Sequence, residues 1–314
     1  MFVYFYTRTY VFVCVLSIVT PHTLFGTFSF NSLGSWFSRK PYEVTVTHTY
    51  IAPEDGTLAL ETTAGNITIN TKARQEHITL LAVKRAAIQD QLSQLSIHEE
   101  QSSQQLRLKS IFDTHIIKRG TVDYTLTIPE NIRIHATTHH GSITINKTAM
   151  PIICSTDNGS ISIGSSYKTV QAITKYGSID IQHALHDVKA QAEYGNITVH
   201  HAHKNVHART QKGSITVVYA HIPPTSAVDL YAHSGGINLA LPANSNASIK
   251  GSTKRGTITS DHYLRLNPTL TKLDTSAWRR FRKEVDGMLG TGEAMITLSS
   301  ACGNVKISQA DRLT

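Results

Sequence analysis

Glycine recurs every 18 residues at positions 141, 159, 177, 195 and 213, each time inside the same flanking pattern. The unit is Thr or another small residue, two variable residues, Gly, a variable residue, an aliphatic, another variable residue and a second aliphatic. It reads THHGSITI from Thr138, TDNGSISI from Thr156, TKYGSIDI from Thr174, AEYGNITV from Ala192 and TQKGSITV from Thr210. An earlier copy, TTAGNITI, starts at Thr62, and looser copies cover Ala232–Leu239, Thr253–Ser260 and Ser300–Ile307. The turn set is therefore Gly65, Gly141, Gly159, Gly177, Gly195, Gly213, Gly235, Gly256 and Gly303. Equal intervals with matched flanks mark an array of stacked repeats.

The columns within the repeat say what is stacked. Ile143, Ile161, Ile179, Ile197 and Ile215 form one aliphatic column, and Ile145, Ile163, Ile181, Val199 and Val217 a second. Another strand contributes Ile152, Val170, Val188 and Val206, then the small residues Cys154, Ala172, Ala190 and Ala208, then Thr156, Thr174, Ala192 and Thr210. Each set alternates with period two, the signature of strands with one face turned inward. No helical period competes over Gly141–Val217. One unit is too short to bury its aliphatic face alone, but rungs stacked at about 4.8 Å align the columns into a continuous core. An antiparallel sandwich could also place Gly in its hairpin turns, yet it would not require the same residue every 18 positions. The chain is expected to be all-β: a single-stranded parallel β-solenoid or β-helix with rungs of 18 residues and short helical insertions.

Glycine suits a sharp bend, either because φ is positive there or because backbones crowd. The residues after it (Asn66, Ser142, Ser160, Ser178, Asn196 and Ser214) are suited to a side-chain ladder or to holding the turn. The small Ala/Cys column belongs where the opposing walls approach closely.

On either side the period loosens. Residues 42–310 are expected to form the solenoid, opened by a strand at Tyr42–His48. Residues 71–118 read as a decorated rung shielding the N-terminal edge, with one short helix over Ala86–Leu95. Val122–Ile128 alternates into Pro129, a basic insertion spans 261–292, and Ala294–Ile307 is expected to close the stack. Ahead of the solenoid, Arg8, the apolar run Tyr10–Val19 and Thr20-Pro21 follow the order of an export signal, so residues 1–30 read as a signal peptide or membrane anchor and 31–41 as a linker. The run is short for a membrane span, which takes about 20 apolar residues. Flanking aromatics would suit an interfacial anchor, and cleavage and retention both remain open. The expected location is outside the cytoplasm: cell envelope, periplasm or cell surface.

With that pattern in hand, the chain resembles the bacterial adhesin-like family of the domain-of-unknown-function 4097 type. The resemblance rests on Val122–Pro129, the rungs from Thr138 to Val217, and GMLGTGEAMITLSSACGNVKI from Gly287 to Ile307. It implies an exported solenoid over residues 42–310 and a role in surface binding. It implies no catalytic residue. The many histidines and the basic insertion depart from the family pattern.

Function is less legible. The three cysteines, Cys14, Cys154 and Cys302, do not make a disulfide scaffold; the last two fall in similar-looking repeat surroundings and are expected to be unpaired. The net charge of +8 is spread along the chain, so nucleic acid is a poor candidate partner. Among the seventeen histidines, His183 with His201 and His203 with His221 share columns one rung apart, where paired imidazoles could hold a divalent ion; equally, outward turns tolerate any polar residue. Tyr176 and Tyr194 occupy one outward column before the Gly, as a glycan or protein contact or as cover for a strand edge. In the basic insertion, Trp278, Arg279, Arg280, Phe281, Arg282 and Lys283 combine cations with aromatics. A helix capped by Thr275 or Ser276 and running to about Val285 would put Trp278 and Phe281 on one face, either against an anionic membrane surface, a glycan or an envelope protein, or docked onto the solenoid wall. Parallel solenoids can carry polysaccharide-cleaving enzymes, but those need convergent acids. The outward acids Asp157, Asp180, Asp187 and Glu193 supply no such pair, and Asp180 stands between Ser162 and Thr198 in its column. The sequence therefore points to a binding surface and not an enzyme, with no cofactor motif. A third reading, a scaffold that polymerises through open solenoid ends, also stands.

Overall fold

The structure is a computed structural model that describes residues 41–53, 55–117, 119–266 and 283–310. Two sheets, of 12 and 13 strands, carry the chain back and forth. One regular coil shows how. Ile152–Asn158 runs along one sheet, Gly159 and Ser160 turn the corner, Ile161–Ser166 runs along the other sheet, and a short turn leads to Val170–Tyr176 on the first again. Successive coils pair in parallel without slippage: Ile152 lies beside Val170, Val170 beside Val188, and Val188 beside Val206. On the other sheet Ile143, Ile161, Ile179, Ile197 and Ile215 are consecutive partners. The expected parallel solenoid is therefore the fold, flattened into two facing walls.

Both aliphatic columns are fully buried, as is the Ala/Cys column. Burial alone pushes the Cys154 thiol well above the ordinary thiol range, so it is chemically quiet. Cys302 is not its equivalent. It is exposed and stands beside Ser234, in the column that also holds Tyr176, Tyr194 and Lys212. The two thiols are unpaired.

Coil order departs from sequence order at both ends. Strand Thr57–Ala64, the first regular coil in the chain, lies between Gln105–Ser110 and Arg133–His140. At the other end Ala294–Cys302 lies between Ala227–Ser234 and Ala247–Thr253. The rung at Ala294–Ile307 therefore does not close the stack as expected; it is tucked one coil inside it. Among the described residues the stack counts ten coils.

Antiparallel strands cover the ends. Thr121–Pro129 is flanked by His77–Ala86, which is flanked by Tyr42–Ile51, while His98–Gln101 folds against Gln105–Ser110. Residues 71–118, read from the sequence as a decorated rung, contribute His77–Ala86, His98–Gln101 and Gln105–Ser110, and the helix there covers only Gln89–Leu92. At the far end Glu284–Leu289 runs antiparallel to Ala247–Thr253, and Arg265–Leu266 follows it. A helix reaching Val285 is thereby excluded: Val285 is a strand residue opposite Gly251.

The glycine bends hold the coils together through repeated bonds. The N–H of Gly141 donates to the Asn158 carbonyl at 2.9 Å, that of Gly159 to Tyr176 at 2.9 Å, and that of Gly195 to Lys212 at 2.9 Å. The buried Thr column supplies a second set. Thr156 Oγ1 donates to the Gly141 carbonyl at 2.9 Å, Thr174 to Gly159 at 2.9 Å and Thr210 to Gly195 at 3.0 Å. Ser300 and Thr253 continue the series to Gly235 and Gly303. The series skips Gly177 and Gly213, because the donor positions there are Ala192 and Ala232. Replacing Ala192 by Thr is expected to raise stability by about 0.5–1 kcal/mol, one net buried hydrogen bond, since Thr already fits the neighbouring rungs. Urea denaturation reads the change; a loss of stability would refute the pairing.

Candidate functional site

The bends line one long edge of the molecule, and the residue before each Gly projects from it. In spatial order this column runs Ala64, His140, Asn158, Tyr176, Tyr194, Lys212, Ser234 and Cys302. The following column forms the anticipated ladder. Ser142 N–H donates to Asn66 Oδ1 at 2.9 Å, Ser178 N–H to Ser160 Oγ at 3.2 Å and Ser214 N–H to Asn196 Oδ1 at 2.8 Å. The ladder's side chains are thus committed to structure.

Tyr176 and Tyr194 come together as their register requires: the ring centroids are 4.9 Å apart and the planes 10° from parallel. Each ring therefore covers a face of the other, and Lys212 Nζ sits 5.2 Å from the Tyr194 centroid. A sugar stacks on an open ring face, which this pair largely spends on itself. What it offers outward is ring edge and phenol hydroxyl.

The histidine columns divide. His183 and His201 meet edge-to-face with centroids 4.6 Å apart, and His201 sits in the left-handed region at φ 47°. Desolvation first, then the neighbouring His183, His200 and His203, hold His201 below the ordinary imidazole range, so His201 resists protonation. His203 and His221 form no ring contact among the described residues. Within those residues no group of three or more His, Cys, Asp or Glu side chains is placed to hold a metal ion.

Three outward acids pair with basic side chains. Asp157 binds His139 Nδ1 at 2.7 Å and Lys175 Nζ at 3.1 Å, and the His139 hydrogen bond leads in holding its carboxyl below the usual range. Asp229 takes His207 and Arg209. Asp180 has His200 at 3.6 Å. These are surface pairs, each worth little energetically.

The basic insertion's Trp278, Arg279, Arg280, Phe281 and Arg282 lie outside the described residues. Lys283 is described: its carbonyl accepts the Thr253 N–H at 2.7 Å, bringing the chain back beside the last coil. That return point borders a feature the sequence reading missed.

A groove of about 440 Å³ opens on the outer face of the sheet near its C-terminal end. It is lined by Tyr231, His233, Ser252, Lys254, Glu284 and Ser299, with Thr253, Ser300 and Ala301 beneath. Tyr231, Ser299, Ser252 and Glu284 stand in one row across four adjacent strands. Tyr231 OH reaches His233 Nδ1 at 3.4 Å and Ser252 Oγ reaches Ser299 Oγ at 3.2 Å. Among the described residues Lys254 and Glu284 have no ion-pair partner, and no ring or cation covers Tyr231. Thr253 and Ser300 are occupied by the glycine carbonyls. The 18-residue period could not reveal this grouping, because it joins three coils whose spatial order is not their chain order.

These features define a class: a two-walled parallel β-solenoid with glycine bends, capped ends and a polar groove on one outer face. The model of the Toastrack DUF4097 family matches residues 56–308, and the chain belongs to that family. Two solved structures are similar over most of their length. One is described as a "putative cell adhesion protein" from Clostridium sporogenes, 12% identical, covering 86% of this chain and 100% of that one, with a TM-score of 0.27. The other is described as a "putative adhesin" from Bacteroides fragilis, 14% identical, covering 84% of this chain and 97% of that one, with a TM-score of 0.43. At these values neither likeness bears on what this chain binds. No curated protein matches the chain.

Proposed function

We propose that this chain is a non-catalytic, exported cell-envelope or surface scaffold whose solenoid wall binds a neutral glycan. The observation that carries this reading is the groove bounded by Tyr231, His233, Ser252, Lys254, Glu284 and Ser299. Lys254 and Glu284, without an ion-pair partner among the described residues, border the same groove. A ligand of either net charge gains from one and is opposed by the other, whereas a polyhydroxylated neutral ring donates to Glu284 and accepts from Lys254. Tyr231 supplies an aromatic surface with no other ring on it among the described residues, and the paired serine hydroxyls add donors that rotate to suit. Among the described residues Glu284 is the one carboxylate lining the groove, without the second acid that glycoside hydrolysis needs, which favours binding over cleavage.

The test is titration of the purified protein with neutral oligosaccharides built from hexoses and N-acetylhexosamines. Saturable binding is expected, reduced at least tenfold by Tyr231→Ala combined with Glu284→Gln, with melting unchanged because both side chains sit on the outer face. No binding to any neutral glycan, or binding untouched by the double substitution, would refute the reading.

A further inference from the structure

The four terminal strands of the two sheets are unequal. His98–Gln101 has 4 residues and Ile258–Ser260 has 3, short edges of the kind that discourage pairing with another chain, while Arg265–Leu266 is where the described part of its segment ends. The fourth, Tyr42–Ile51, has 10, all in unbroken register with His77–Ala86. Its other edge has no strand partner among the described residues. Only Tyr50 is buried, while Val44 is 45% and Ile51 70% exposed. The strand reads YEVTVTHTYI: rich in β-branched and aromatic residues, without Pro, Gly or Lys, and without a bulge. Neither a bulge, a Pro nor a covering strand protects this edge among the described residues.

We propose that this edge is a homodimer interface, in which Tyr42–Ile51 of two copies pair antiparallel about a two-fold axis and join their sheets end to end. The occupant is a second copy because the strand is self-complementary in that orientation. With Val46 of the two copies facing each other at the axis, Glu43 of one copy lies opposite Thr49 of the other, and Val44 opposite His48. A parallel arrangement would set Glu43 on Glu43 and His48 on His48. The acids at this end are also already matched within the chain: Glu43 by Arg85 at 2.8 Å, Glu99 by His48 at 3.3 Å and Glu100 by Arg107 at 3.7 Å. Two ends therefore meet without opposing bare charges. A closed two-fold contact uses the same patch on both copies. Because the pairing uses up the long edge on both copies, the contact closes at two and does not continue into a filament. The inference is independent of the glycan reading. If both hold, each assembly carries two grooves, and avidity on a surface rises without any new contact to ligand.

Light scattering on the full chain across a wide dilution series tests this. A mass twice that of the chain, falling to the monomer on dilution, is expected. Thr45→Lys with Thr47→Lys places charge on two exposed edge positions and is expected to give a monomer at every concentration with unaltered melting. A wild-type protein that is always monomeric, one that grows past the dimer, or a double variant that still dimerises would each overturn the proposal. Should the variant fail to fold, hydrogen exchange of the wild type decides. Amides of residues 42–51 must lose protection on dilution, and protection independent of concentration would mean that something other than a second copy covers the edge.

Discussion

Replacing Ile179 with Asp is expected to destabilise the protein by more than about 4 kcal/mol at neutral pH, enough to unfold the coils around it. Ile179 is fully buried, between Ile161 and Ile197 in its column. The substitution forfeits about 1.5–3 kcal/mol of apolar burial and places a carboxyl among side chains that cannot hydrogen-bond it. Coils contact only their neighbours, so the damage is local first, and the stack then loses two halves that no longer support each other. The effect carries a pH signature. Burial raises the folded-state pKa of the new carboxyl above its unfolded value. Stability is therefore best retained below the ordinary Asp range and is lost as pH rises through the raised value. Denaturation relative to wild type should show a smaller deficit at about pH 4, near the unperturbed Asp value, than at neutral pH. Ile179→Asn should cost a similar amount at both. Thr216→Asp, on the outward face between Thr198 and Asn238, should cost little at either. A variant as stable as wild type would overturn the inward assignment of this column.

What the sequence made legible was whatever repeats by translation. The aliphatic columns, the small Ala/Cys column, the glycine bends and the Ser/Asn ladder each place like on like one coil apart, so the 18-residue period is also their spatial order. The same rule located the stacked Tyr176–Tyr194 pair and the His183–His201 contact. It failed where chain order and spatial order part. Nothing in the period says that Thr57–Ala64 and Ala294–Cys302 slip between other coils, and the groove exists only because the second of them does. Cys302 was placed with Cys154 for the same reason: motif likeness in the loose copies does not fix the register. The insertion misled differently. An apolar residue every three or four positions suggested a helix to Val285, but an open sheet edge at Ala247–Thr253 captured Glu284–Leu289 as a strand. A free edge outweighs a weak local helical preference.

The glycine bends yield the sharpest expectation: Gly213→Ala should cost at least about 4 kcal/mol, as much as a charge in the core. A Cβ at this position would lie 2.0 Å from the Gly195 carbonyl oxygen, a backbone atom with no rotamer to yield. The same oxygen accepts Thr210 Oγ1 at 3.0 Å, and the next residue's N–H donates to Asn196 Oδ1 at 2.8 Å. Relieving the clash therefore pulls apart two bonds between coils besides the coils themselves. Backbone strain adds about 1–3 kcal/mol, since Gly213 has φ +152°, where L residues are rarely found. Close approach is the more general cause. Gly159 and Gly195 have no φ in the left-handed range, yet a Cβ on either would meet a glycine carbonyl oxygen at 2.0 and 1.9 Å. Any side chain is excluded there, which is why one residue type recurs through the array. Gly236 provides the internal control. It also lies at the bend, but a Cβ there would have as its nearest neighbour the Asn304 carbonyl oxygen at 3.3 Å, so Gly236→Ala should cost less than about 1 kcal/mol. Chemical denaturation of the two variants side by side separates the ideas. Equal, small losses would show that coil spacing relaxes around a methyl group. A large loss at Gly213 alone would show that the repeat is set by contact between successive glycine bends.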